Sequence, residues 1–283
     1  QIASAVVGDF ERDTRVEGER GQYTATPSED WRIWGPMGGY AASIALRAAA
    51  AEVERSFLPA SLACQFYAPA RFEPVDIAVT VRRASRRTAA VNAAITQDGT
   101  AVLDLQAWFA VEADVVNHDH ARAHRHGHPD DHKPLTDYEL DGPSPFPFWS
   151  NFDAKPLDWI DDWEHYPGGR PEWAEWLRFV PTAEFEDPVM EACRLLVIAD
   201  LPSFPAATRA HPGSDGRTWV APNLDLAVQF HRLAHLGEWL LCHGTAPIAD
   251  RGLIAFRSEA WTAGGVLAAS GSGQLLARTV PPG

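Results

Sequence analysis

The stretch from Gly38 to about Arg55 constrains the fold more than any other. Between Gly39 and Ala51 the polar side chains are Tyr40, Ser43 and Arg47, and seven Ala stand beside Ile44 and Leu46. Ala is the strongest helix former, and a helix that is apolar nearly all round belongs at the centre of a fold. Pro36 precedes the segment and Pro59 follows it, as expected at helix boundaries.

After this helix the period of the apolar residues changes from 3.6 to 2. Val75, Ile77, Val79 and Val81 alternate with Asp76, Ala78 and Thr80, and Leu103, Leu105, Ala107 and Phe109 alternate with Asp104, Gln106 and Trp108. Both read as half-buried strands, and Asp98-Gly99 between them is a hairpin signal. One buried helix followed by about four antiparallel strands is an α+β unit.

The second half repeats the plan. Asp187 to Ala199 has a helical apolar pattern, and period 2 returns at Leu224, Leu226, Val228 and Phe230. Leu62-Ala63-Cys64-Gln65-Phe66 is answered by Leu226-Ala227-Val228-Gln229-Phe230 at an offset of 164, and Asp98-Gly99 by Gly264-Gly265 at an offset of 166. Agreement of motif, turn and element order points to an internal duplication. Between the halves, six of the eleven His fall from His118 to His132 without an apolar period, the mark of a linker or exposed insertion. The expected division is 1–115, 116–144 and 145–283, the third unit opening with Trp-rich strands over Phe146 to Val180.

Composition narrows the function. With 24 Lys plus Arg against 38 Asp plus Glu, the formal charge is −14, which disfavours nucleic acid at long range. The longest uncharged run, Ala260 to Ala277, carries four Gly and several polar side chains, too polar for a membrane helix. No basic segment followed by an apolar one opens the sequence. Cys64, Cys193 and Cys242 are far apart with no CxxC and read as reduced core residues of a cytoplasmic protein. No GxSxG, P-loop, HExxH or helix-opening GxGxxG occurs. His124, His126 and His128 could ligate a metal from an extended strand, but the cluster lacks tight Cys/His pairs with a packed second layer, so no metal and no cofactor are assigned.

Several blocks together resemble a known family. Trp31-Arg32-Ile33-Trp34-Gly35-Pro36-Met37-Gly38-Gly39-Tyr40 is similar to the approach to the first central helix in acyl-CoA thioesterase II-like proteins. Ala199-Asp200-Leu201-Pro202-Ser203-Phe204-Pro205, Leu224 to Arg232, Gly237 to Leu241 and Gly265 to Ser270 follow in the family's order. The resemblance implies a tandem (double) hot dog, each half a central helix wrapped by an antiparallel sheet, and a homodimer of such chains. It also implies hydrolysis of acyl-CoA by water held by an Asp, a Thr and a Gln. The Asp falls on Asp200. The Thr position falls on Asn223, or on Pro222 if the gap is placed differently. The Gln falls on Gln274 if one residue is inserted after Ser270, and on Gly273 otherwise.

These residue types suit the chemistry. A carboxylate can deprotonate water for attack on a thioester carbonyl, and an amide can both donate and accept to orient that water. Gly38 and Gly39 would let substrate approach a helix N-terminus, whose backbone N–H groups favour an oxyanion; a tight turn into a buried helix is their plainer role. Arg82, Arg83, Arg86 and Arg87 could hold the phosphates of coenzyme A or simply be a solvated hairpin end. Two other functions compete. A non-catalytic acyl-CoA or lipid-binding module fits the loss of Thr at Asn223. An enoyl-CoA hydratase or dehydratase would need an acid/base His on a central helix, and neither helix contains one.

Overall fold

The computed structural model describes residues 7–122, 126–138, 144–212 and 218–279. The first half contains α1 (Phe10–Asp13), β1 (Glu17–Glu19), β2 (Gln22–Ala25), α2 (Gly38–Ala50), β3 (Leu58–Phe66), β4 (Val75–Ala84), β5 (Thr88–Gln97) and β6 (Thr100–Ala110). The second contains β7 (Phe152–Pro156), β8 (Glu172–Phe179), α3 (Pro188–Asp200), α4 (Ser203–Thr208), β9 (Trp219–Val220), β10 (Asn223–Phe230), β11 (Leu240–Asp250), β12 (Leu253–Thr262), β13 (Leu267–Leu276) and β14 (Arg278–Thr279). β14 pairs with β9.

The other strands form one antiparallel sheet in the order β1-β2-β4-β5-β6-β3-β10-β13-β12-β11-β8-β7. The halves join where β3 meets β10, with Ala63 opposite Ala227, Leu62 opposite Val228 and Cys64 opposite Leu226. The five-residue repeat therefore pairs with itself, as a two-fold axis between two copies of a unit requires. α2 and α3 cross this seam antiparallel. Ser43 Oγ reaches the Cys193 carbonyl at 3.2 Å, and Cys193 Sγ reaches the Ser43 carbonyl at 3.6 Å. That reciprocal contact makes residues 150 apart equivalent in the two helices. The architecture is the expected double hot dog.

Sequence chemistry explains the elements. Asp98 and Gly99 both have positive φ, 48° and 77°, the conformation a two-residue hairpin needs. α3 starts on Asp187, whose side chain accepts from the Val189 N–H, with Pro188 at the first helical position, a strong start signal. α2 stops at Ala50 rather than near Arg55. The residues beyond it are pinned instead, because Glu52 Oε1 accepts from the Gly21 N–H at 2.7 Å and from the Tyr23 hydroxyl at 2.6 Å. Ten of the thirteen α2 residues are buried, consistent with a helix apolar on every face.

The aromatic motif before α2 is structural. Trp31 is fully buried and stacks on Tyr40 with ring centroids 5.3 Å apart. Its indole N–H donates to Asp13 Oδ2 at 3.1 Å, and the Tyr40 hydroxyl donates to the Asp13 carbonyl at 2.6 Å. Together these contacts fix where the N-terminus of α2 begins. Of the Trp-rich stretch, β7 and β8 are strands and Pro147–Asn151 is a 3-10 turn. Among the described residues no helix is long and apolar enough to cross a membrane.

Candidate active site

The antiparallel helix pair brings the start of α2 against the end of α3. Asp200 Oδ2 accepts from the Gly39 N–H at 2.6 Å, and Asp200 Oδ1 accepts from Asn223 Nδ2. Neither glycine at the α2 start has room for a Cβ without a shift of its neighbours. A Cβ on Gly39 would stand 2.8 Å from the Leu196 carbonyl oxygen and 2.9 Å from Val197 Cα. One on Gly38 would stand 2.8 Å from Asp200 Oδ2 and 3.3 Å from the Phe66 ring.

Asn223 reaches Asp200 because of an irregularity in β10. Asp225 lies opposite Gln274, but Asn223 lies opposite Leu275, with the register shifting between them. Leu224 is thus an extra residue. Such a bulge re-aims the side chain beyond it, so Asn223 joins the inward row of Leu275, which is fully buried. Ser203 Oγ lies 3.3 Å from Asn223 Oδ1 and 2.9 Å from the Asp200 carbonyl. It holds the amide with its nitrogen turned towards the carboxylate.

Asp200 is 5% exposed. Burial raises its pKa to about 6, although the Gly39 and Asn223 donors pull it down. The carboxylate also faces the positive N-terminal end of α2, which favours its charge. Near neutral pH it is an ionised base with a proton affinity far above that of a solvated Asp, the tuning general-base catalysis needs. The neighbouring thiols are inert. Burial pushes Cys64 and Cys242 well above the usual thiol range, and Cys193 up to about 12, so all three stay neutral and non-nucleophilic.

The other predicted residues lie elsewhere. Gln274 is exposed, and its backbone N–H donates to Asp225 Oδ1 at 2.6 Å. Gly271, three residues earlier on β13, points inward, because a Cβ there would meet Ala199 at 3.4 Å. Alternation along the strand then puts Gly273 inward and Gln274 on the opposite face from Asp200. No larger residue fits at Gly273 without a shift, since a Cβ would stand 2.3 Å from the Asp225 carbonyl oxygen. Arg82, Arg83, Arg86 and Arg87 are exposed around the β4–β5 turn. That turn adjoins Thr88, which pairs with Ala110, itself paired with Leu58 at the start of β3. Phe66, which packs at Gly38, ends the same strand. The arginines therefore sit at the end of the sheet away from Asp200.

Sequence reasoning passed over Ser203, Phe66, Trp34 and Phe204. Trp34 and Phe204 meet edge to face at 5.2 Å, and Phe204 meets Trp219 at 5.1 Å. Trp34 stands four residues before Gly38 and Phe204 four after Asp200, so adjacency to the quoted motifs was the available signal.

The mirror-related end of the helix pair carries different groups. Ala50 stands where Asp200 does and Val189 where Gly39 does, beside a cavity of about 660 Å³ that Arg47, Arg55 and Phe57 also line. Glu54 and Asp187 bring carboxylates to that cavity, but neither stands at the position equivalent to Asp200.

The fold is thus a double hot dog with a buried carboxylate where the end of α3 meets the start of α2. Residues 27–110 match the acyl-CoA thioesterase N-terminal domain and residues 129–276 the acyl-CoA thioesterase C-terminal domain. The chain belongs to the acyl-CoA thioesterase family. No curated protein matches it by sequence. Among solved structures, a conserved hot dog protein of unknown function from Alicyclobacillus acidocaldarius superposes with a TM-score of 0.81 at 21% identity, covering 98% of this chain and 100% of that one. The acyl-CoA thioesterase II TesB2 of Mycobacterium marinum superposes at 0.77 and 19%, covering 96% and 99%. The TesB protein of Mycobacterium avium subspecies paratuberculosis superposes at 0.74 and 18%, covering 98% and 100%. These likenesses establish the fold.

Proposed function

We propose that the chain hydrolyses acyl-CoA thioesters with Asp200 as general base, without a covalent intermediate. The observation that carries this reading is the Asp200 carboxylate, buried between the Gly39 N–H and the Asn223 amide at the start of α2. Asp200 takes a proton from water as the water oxygen bonds to the thioester carbonyl carbon. The resulting oxyanion faces the positive N-terminal end of α2. Collapse breaks the carbon–sulfur bond, and the Asp200 carboxyl returns its proton to the departing thiolate, leaving a carboxylic acid and free coenzyme A. Asn223, held by Ser203, orients the water in the role the family resemblance gives to Thr. Phe66, Trp34 and Phe204 offer an apolar seat for the acyl group.

Within this reading no cofactor takes part, and Gln274 and the four arginines stand outside the site. The chain divides at 115 and 145, and two chains associate as a homodimer in the cytoplasm. The inward glycine at position 273 favours one competing reading, a binding module that holds acyl-CoA without turning it over.

Thiol release from short, long and aromatic acyl-CoAs separates the two. Hydrolysis of at least one class supports the enzyme. Stoichiometric binding without thiol release would replace it with the binding module.

A further inference from the structure

The outer face of the large sheet at β8, β11 and β12 gathers side chains that the proposed hydrolysis does not use. Gly244 on β11 points inward onto Pro202, where a Cβ would stand 2.5 Å from the proline ring. Its neighbour His243 therefore faces outward, opposite Ala174 on β8 and Glu259 on β12. Glu172 lies two residues from Ala174 along β8 and so shares that face. His243 Nε2 is 3.0 Å from Glu172 Oε1, and His243 Nδ1 is 3.7 Å from Glu259 Oε2. Glu259 also accepts from the Trp261 indole N–H at 2.9 Å.

The third group comes from the His-rich segment between the halves. His126 lies over His243 with ring centroids 5.5 Å apart. The chain next to it is well tied down: Pro129 is buried, its carbonyl accepts from Lys155 Nζ at 2.8 Å, and His128 and Asp131 form a reciprocal cap. One donor atom each from His126, Glu172 and His243 falls within 4.8 Å of the other two.

We propose that His126, Glu172 and His243 form a binding site for a divalent transition-metal ion of the zinc class, fastening the His-rich segment to the outer face of the sheet. Metal–ligand bonds of ~2.0–2.2 Å place bound donors roughly 3–4 Å apart, so a small turn of the His126 ring completes the set. Two imidazoles and one carboxylate suit zinc, with the remaining position filled by water. With Nε2 on the metal, His243 Nδ1–H is directed at Glu259, the carboxylate–histidine–metal relay that fixes tautomer and ring orientation. The three ligands come from parts of the chain far apart in sequence, so the ion would staple the segment rather than take part in hydrolysis.

Calorimetric titration of the metal-stripped full chain with zinc chloride at about pH 7.5 tests the site. The expected result is one tight equivalent, weakened by at least ~10–100-fold in His126→Ala and in Glu172→Gln but unchanged in a His118→Ala/His120→Ala variant. His126 stands on a surface segment, so its replacement leaves the core intact. Zinc should also slow proteolytic cleavage around residues 126–132 in the wild type and not in His126→Ala. Absence of a stoichiometric site overturns the proposal. So does binding that the His118/His120 variant weakens as much as His126→Ala, which would mark adventitious capture by surface histidines.

Discussion

Asp200 carries both the proposed chemistry and a stability penalty. Its pKa in the folded protein is raised from 3.8 to about 6, chiefly by burial. The native state then holds the proton more tightly than the unfolded chain, so the contribution to stability is greatest at low pH and is lost as pH rises from 3.8 to 6. Near pH 7 the ionised group costs on the order of 3 kcal/mol. Asp200→Asn should melt higher than wild type at pH 7, with the difference shrinking towards pH 4, while its kcat/KM falls by ~10²–10⁴-fold. Calorimetric melting at both pH values, beside thiol-release kinetics, checks the two halves of this trade. Asn223→Ala removes a donor that lowers the Asp200 pKa, so the acid limb of kcat/KM should move to higher pH; a pH–rate profile of that variant measures the shift. At this scale Asp200 was legible as a candidate base, because the family motif surrounds it. Gln274 was out of reach: a carboxamide one residue off register on a strand lands on the opposite face, and no local pattern distinguishes it from Gly273.

Between elements, the site depends on how closely α2 and α3 approach. Gly39 is the contact point, and the atoms a Cβ would meet are backbone of α3, which cannot turn aside as a flexible side chain can. Gly39→Ala should therefore destabilise by about 1–3 kcal/mol and lower kcat/KM by displacing the α2 N-terminus from Asp200. Denaturant unfolding read against kinetics would separate the two effects. The helices and hairpins were legible because their apolar periods and turn residues are local. The end of α2 was not, since Glu52 is held by residues of a separate strand. The bulge at Leu224 was equally hidden, although it is what brings Asn223 inward.

For the whole molecule, the two-fold relation of α2 and α3 gives the helix pair two ends that carry different groups. The repeated pentapeptide was visible in the sequence, and it lies on the two-fold seam, where β3 and β10 pair it with its own copy. The helix ends differ: Ala50 and Val189 stand at the positions equivalent to Asp200 and Gly39. A non-hydrolysable acyl-CoA analogue should accordingly bind with one equivalent per chain by isothermal titration, with Asp200→Asn leaving the stoichiometry at one. Two equivalents of similar affinity would mean that the mirror cavity has kept its ligand.

If the buried Asp200 deprotonates the attacking water, the pH dependence of kcat/KM for acyl-CoA hydrolysis reports its ionisation. A single ionisation near pH 6 is expected, with the rate falling about tenfold per unit below it and the residual Asp200→Asn activity showing no such limb. Full wild-type activity two units below that pH, or an Asp200→Asn enzyme as fast as wild type, would contradict it.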